Sequence, residues 1–277
     1  MISFDRVKDL RVLVVGDAIL DEYVYVTCLG KAVKEPALSA KILRKEEFRG
    51  GVWAAAAHAA NFCAEVHTSS APVVNVTRRY VEDAYLRKLF TLHDTRTGEV
   101  SAECDIGSYD CVIVADFGYG TLTEELIRRI TKEARYLAVN AQTNAPNMGF
   151  NMITKYRRAD YIVIDELEAR LAAHDRDSAI EDVILKLGYR NIVVTMGKNG
   201  AIGFDGAFER QASVTEKITD TMGAGDAFLC VTAPFASVGA SMKDLLRLGN
   251  AAGAVKVGIV GHRDSVHKEA ILERLAH

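Results

Sequence analysis

Several classes of protein leave marks that this chain lacks. Among 277 residues there are four prolines and one tryptophan, and no low-complexity tract or Pro/Gly-rich linker. That argues against a disordered or multi-linker chain. No basic block occurs, and 34 Lys+Arg against 37 Asp+Glu leave a formal net charge of −3, which excludes the electrostatic footprint of a nucleic-acid binder. No apolar run reaches the ~18 residues of a membrane span. The opening stretch MISFDRVKDLRVLVVGD carries acids and meets charge after a short apolar run, so no secretory leader is expected there. The five cysteines (28, 63, 104, 111 and 230) are odd in number, scattered, and form no C-x-x-C pair. They suit a reducing compartment, with Cys63, Cys111 and Cys230 as small buried hydrophobes. A cytoplasmic protein is the expectation. No G-x-x-x-x-G-K-[ST] loop exists, and GYGTLTEE (118–125) lacks the third glycine of a dinucleotide fingerprint. It reads as a strand-end turn.

What is present is ample apolar material, 49% of residues, arranged as short runs alternating with helical patterns. Buried strands are expected at 11–17, 110–118, 135–142, 159–165 and 190–197, a further strand at EVHTSS (65–70), and a hairpin from 201–206. Helices are expected at 51–66, 121–134, from about Glu166, after Gly225, and at 242–258. Val/Ile-rich strands alternating with helices predict a mostly parallel sheet covered on both faces, with ligands at the carboxyl ends of its strands. The residues closing those strands are Asp17, Asp116, Asn140, Asp165 and Thr195. Each alone is also an ordinary turn former or cap. Segments 22–48 and 73–105 break the alternation and read as short strands outside the main sheet, a small flap on one domain spanning 1–277.

The stretch TDTMGAGDAFLC (219–230) places two glycines and an acid at the start of a helix. Unpaired N–H groups there carry partial positive charge, so Gly223, Ala224 and Gly225 suit an anion cradle. Asp226 is then placed to take a proton from an attacking hydroxyl. A helix with an acid in its first turn is the plainer alternative, and the segment alone leaves both open.

DTMGAGDAF resembles the D-T-x-G-A-G-D signature of the ribokinase-like (PfkB) carbohydrate kinases. The resemblance continues through GDAILDEY (16–23), RGG (49–51), DELE (165–168), VTMGKNGA (194–201) and LGNAAGAVKVG (248–258), in the family's order and spacing. Within the family, VLVVGDAILDEYVY, Glu35-Pro36 and VADFGYGTLT are most similar to the kinase of bacterial ADP-heptose synthesis, which phosphorylates a heptose 7-phosphate. The resemblance implies a three-layer α/β/α ribokinase-like fold with a β-strand lid. It also implies ATP and Mg²⁺, a sugar or sugar-phosphate acceptor, and a homodimer through the lid. It implies Asp226 as base, Gly223, Ala224 and Gly225 as anion hole, and Glu168 with Asp165 on the metal. Asp17, Asp21, Gly50, Gly51, Arg79, Asp116 and Asn140 would face the acceptor; Thr195, Gly197, Gly200 and Asn250 would face the nucleotide.

Four departures stand against the family pattern. Val52, Trp53 and Ala54 follow Gly50-Gly51 where an asparagine usually contacts the sugar. Tyr119 replaces the lysine of a D-Y-x-K-G pattern. The amide-rich VNAQTNAPNMGFN (139–151) replaces a lysine-bearing segment, and Asp165 stands where asparagine is usual. These losses weaken the case for an anionic acceptor, for which Arg78 and Arg79 remain the candidates. A nucleoside- or vitamin-type kinase and a non-catalytic sugar or nucleotide sensor are the competing readings.

Overall fold

The strand Arg11–Gly16 (β1) sends Val12 and Val14 into one hydrophobic core and Leu13 and Val15 into another. That period of two, repeated along the central strands, divides a sheet into two buried faces. The computed structural model of the protein describes residues 3–96, 98–100, 104–215 and 218–276. After β1 the chain enters two 14-residue strands, Ala18–Lys31 (β2) and Leu38–Gly51 (β3), then the helix Val52–Ala60 (α1) and the strand Glu65–Ser69 (β4). Asn75–Glu82 (β5) and Arg87–Asp94 (β6) follow, then the buried strand Cys111–Asp116 (β7). The helix Glu124–Glu133 (α2) starts at Thr123, whose side chain accepts the Leu126 N–H, and buries Leu126, Ile127 and Ile130. Leu137–Ala141 (β8), Tyr161–Asp165 (β9) and the helices Glu166–Ala173 (α3) and Ile180–Leu187 (α4) come next. Ile192–Thr195 (β10), Ala201–Phe204 (β11) and Phe208–Gln211 (β12) lead to helices Ala224–Ser237 (α5), Met242–Lys256 (α6) and Lys268–Ala276 (α7).

The main sheet has eight strands in the order β12-β11-β10-β9-β8-β7-β1-β4. Its pairs from β4 through β10 are parallel, and β11 and β12 add an antiparallel hairpin. One core packs α1, α5 and α6 on Val12, Ile113, Val163 and Val193; the other packs α2, α3 and α4 on Leu13, Val114, Val139 and Ile164. The expected three-layer fold with a parallel sheet is the one observed. Cys63, Cys111 and Cys230 are buried and all five cysteines are free thiols.

The second sheet has four strands, in the order β3-β2-β5-β6. The expected flap is there, but its first two strands are long rather than short. They begin at Ala18 and end at Gly51, directly continuous with β1 and α1. Residues 97 and 101–103 of the expected second flap segment lie outside the described residues. A small cluster of Tyr23, Tyr25, Phe48 and Val81, with Met222 and Val260 against it, seats the flap over the main sheet's edge. Two helices, α4 and α7, were not expected from the sequence. No helix among the described residues is long and apolar enough to cross a membrane.

Candidate active site

A cleft of about 620 Å³ lies between the flap and the carboxyl edge of the main sheet. Gly223, Ala224, Gly225 and Asp226 form part of its wall. Gly223 adopts φ 74° as the N-cap of α5, and among the described residues no side chain caps the first turn. The helix therefore offers its positive end to the cleft. Asp226 is only 7% exposed. Burial raises its carboxyl to about 6, against the opposing pull of His262 and Lys256. One carboxylate oxygen, Oδ1, accepts from Gln142 Nε2 at 2.5 Å. A carboxylate titrating near 6 is ionised at neutral pH and still basic enough to accept a proton.

Asp21, Gly51, Arg79 and Asn140 line the same cleft beside Asp226. Asp21 pairs with Arg79 and lies 3.5 Å from His262 Nε2. Burial opposes its ionisation, yet the His262 hydrogen bond and the Arg79 charge hold it below the usual carboxylate range. Asn140 donates Nδ2 to the Val163 carbonyl at 2.8 Å, and its buried Oδ1 has no partner among the described residues. His93, also on the cleft wall, keeps a buried Nδ1 without a partner among the described residues. Such orphaned atoms mark where a polar ligand would be satisfied. The flap strand β5 separates the two arginines by its pleat. Arg79 faces the cleft, whereas Arg78 pairs with Glu22 and is not a lining residue.

Three expected acceptor residues do not line the cleft. Asp17 is 1% exposed and spends its oxygens on the Phe117 N–H at 2.9 Å and the Thr121 hydroxyl. Burial raises it to about 6, with Asp116 adding. Asp116 accepts from the Tyr156 hydroxyl at 2.6 Å, Lys155 Nζ at 2.5 Å and the Gly118 N–H at 3.1 Å. Both acids tie loops to strand ends behind the cleft. Gly50 packs against Asp21, where a Cβ would lie 2.1 Å from Oδ2. Trp53 carries the Arg49 guanidinium 4.4 Å from its ring centre and borders a separate cavity, not this cleft. Tyr119 does line it, in the place of the absent lysine.

Thr195, Gly197, Gly200 and Asn250 line the opposite end. Asn250 donates to the carbonyls of Gln211 and Ala212, at 3.0 and 3.1 Å, tying α6 to the end of β12. Asp165 and Glu168 form a reciprocal cap at the start of α3. Asp165 Oδ1 accepts the Glu168 N–H at 2.7 Å, and Glu168 Oε2 accepts the Asp165 N–H at 2.8 Å. Glu168 Oε1 accepts the Thr143 N–H at 2.9 Å. Burial, then the neighbouring Asp165, push the Glu168 carboxyl well above the glutamate range. Two carboxyls short of positive charge, with lone pairs partly spent on backbone, fit a Mg²⁺ ion held through its waters. Among the described residues no three His, Cys, Asp or Glu side chains converge on one point that could hold an ion.

Gln142 and His262 line the cleft, and Lys256 and Asp220 hold the lining residue Met222 from behind; none of the four was assigned to the site from the sequence. Lys256 had a signal, as the one charge near the end of an otherwise small and apolar helical run; His262 had none, because it arrives on an irregular segment.

The pattern described as pfkB family carbohydrate kinase matches residues 87–269. The chain belongs to this family. That is the family the GAGD segment resembled. A curated relative, the Bifunctional protein HldE of Campylobacter jejuni subsp. doylei, is 20% identical over 297 residues, covering 94% of this chain and 64% of that protein. The chain thus spans less than two thirds of that relative's length. Among solved structures, Thermotoga maritima ribokinase aligns with a TM-score of 0.74 at 18% identity, covering 97% of this chain and 100% of that one. Arabidopsis thaliana ribokinase, complexed with ribose and ATP, aligns at 0.71 and 15% identity, covering 97% and 99%. At these identities the likeness is one of fold.

Proposed function

We propose that this kinase transfers the γ-phosphoryl group of ATP to a hydroxyl of a sugar or sugar phosphate, with a heptose 7-phosphate the leading acceptor. One observation carries the reading: a buried carboxylate, Asp226, titrating near 6 within the first turn of a helix whose N-terminus is open to the cleft. Asp226 accepts the proton of the attacking hydroxyl, and Gln142 fixes one of its oxygens so that the other is left for the acceptor. The N–H groups at Gly223, Ala224 and Gly225 stabilise the charge that spreads over the transferred group. Mg²⁺, held through water by Glu168 and Asp165, supplies charge neutralisation at the phosphate oxygens when bound. Asp21 and Asn140 bind acceptor hydroxyls, while Thr195, Gly197, Gly200 and Asn250 border the nucleotide.

The HldE relatives and the cationic Arg79, beside His93, favour an acceptor that bears a phosphate. ATP consumption measured across sugars, sugar phosphates and nucleosides tests this. The expected result is a larger kcat/KM for a sugar phosphate than for its parent sugar. No turnover with any acceptor, together with tight sugar binding, would overturn the kinase reading in favour of a sensor.

The flap also supports a homodimer. Among the described residues its outer strands β3 and β6 have unpaired edges, and Leu38, Ile42, Leu43, Leu89, Phe90 and Leu92 are exposed on them. An exposed apolar sheet edge is normally covered, and a second copy of the same flap is the complementary surface.

A further inference from the structure

Lys256, the last residue of α6, is fully buried at 0% exposed. Among the described residues no carboxylate bonds it directly. Its ammonium instead donates to the backbone carbonyls of Met222, at 2.9 Å, and Gly261, at 2.7 Å. The same two residues give their N–H groups to one carboxylate. Met222 N–H donates to Asp220 Oδ1 at 3.1 Å, and Gly261 N–H to Asp220 Oδ2 at 3.0 Å. A buried cation and a buried anion thus grip both polar ends of two backbone segments. One segment runs directly into Gly223 and the start of α5, where a Cβ on Gly223 would lie 3.2 Å from Lys256 Cε. The other carries His262, which borders the cleft.

We propose that Lys256 is a positioning residue, a tethered internal cation that, with Asp220, clamps Met222 and Gly261 and so holds the Gly223–Gly225 helix start and Asp226 in place for phosphoryl transfer. A buried ammonium is expensive unless its donors are met. Here carbonyl oxygens meet them, and the carboxyl end of α6 favours a cation at that point. The clamp reaches the flap as well. Asp220 also accepts from the Tyr23 hydroxyl and from Lys88 Nζ, both at 2.7 Å. The charged groups around Lys256 are Asp220, Asp226 and Asp21, with Lys88 opposing them; burial, then the Lys256 charge, hold the nearby His58 neutral by lowering it to about 3.

The inference rests on the proposed role of Asp226, so its test has a readout of its own. Lys256→Ala removes the cation and leaves a carbonyl-lined space that fits a small primary amine. The expected result is a kcat lower by roughly 100-fold, the scale of a misplaced reacting group, with KM for ATP little changed. The acid limb of kcat/KM should move to higher pH, because Asp226 loses a neighbouring cation. Ethylammonium should restore kcat saturably and raise the melting temperature, while tetramethylammonium should do neither. Wild-type kcat and an unmoved limb in Lys256→Ala, or in the neutral donor variant Lys256→Gln, would overturn the proposal. So would a folded Lys256→Ala that ethylammonium does not restore. If Lys256→Ala does not fold unaided, equal refolding yields in the two amines would overturn it. A wild-type protein without turnover would strike the proposed function alone, since amine-dependent melting still decides the clamp.

Discussion

Asp226, the proposed base, is buried at a cost to stability. Its carboxyl rises from the ordinary 3.8 to about 6 because folding buries it. A raised carboxyl binds its proton more tightly in the folded state. The group therefore costs nothing below about pH 4, where it is protonated folded and unfolded. The cost grows as pH climbs and is complete once pH passes 6. A rise of that size corresponds to about 2–3 kcal/mol. Asp226→Asn should abolish turnover yet raise the stability of the ligand-free protein by about that amount at pH 7.5, as measured by denaturant titration. The gain should shrink towards zero near pH 4; a gain independent of pH would count against the assignment. Turnover by the wild-type protein should fall on the acid side with an apparent pKa near 6 in kcat/KM. A rate that stays flat down to pH 4.5 would remove Asp226 as the base.

At the scale of elements, the contact of α5 with α6 frames the end of the cleft proposed for the nucleotide. Gly249 sits in α6 against Phe228 of α5, where a Cβ would lie 2.2 Å from the ring. Phe228 is 3% exposed and has little room to move. Alanine for glycine inside a helix ordinarily gains about 0.5–1 kcal/mol, whereas overpacking a core costs about 1–3 kcal/mol. Gly249→Ala should therefore lose about 1–2 kcal/mol and weaken nucleotide binding, read by denaturant titration and by KM for ATP. A more stable variant would refute the close approach. The elements themselves were largely legible. Leu126, Ile127 and Ile130 at helical spacing behind Thr123 announced α2, and VLVV and CVIVA announced buried strands. The flap strands were harder to read. Their outer halves are exposed on both faces, so Leu38–Arg44 shows no alternation that separates a strand from a loop. Helix α7 buries Ile271 alone, too little for a periodic signal.

For the whole molecule, the two sheets have opposite relations to solvent. The main sheet is covered on both faces, while the outer flap leaves an apolar surface open. If two flaps cover one another, an aspartate at Phe90 should turn a dimer into a monomer in sedimentation at micromolar concentration, with the melting of the main domain little altered. A wild-type protein that already sediments as a monomer would exclude the flap dimer.

The sequence by itself determined the layered α/β architecture, because strand and helix periods are local properties written in residue spacing. Asp226, Asp165 and Glu168 were assigned to one site only through the family resemblance of their segments, and the structure brings all three to one cleft. Which strand-end acids meet the cleft was decided only by the tertiary structure. Asp17 and Asp116 look the same in the sequence as Asp165, yet their oxygens are consumed by Thr121, Phe117, Tyr156 and Lys155. The pleat of β5 likewise chose Arg79 over Arg78. The pairing of Lys256 and Asp220 across Met222 and Gly261 depends on segments brought together by packing, and no spacing along the chain encodes such a meeting.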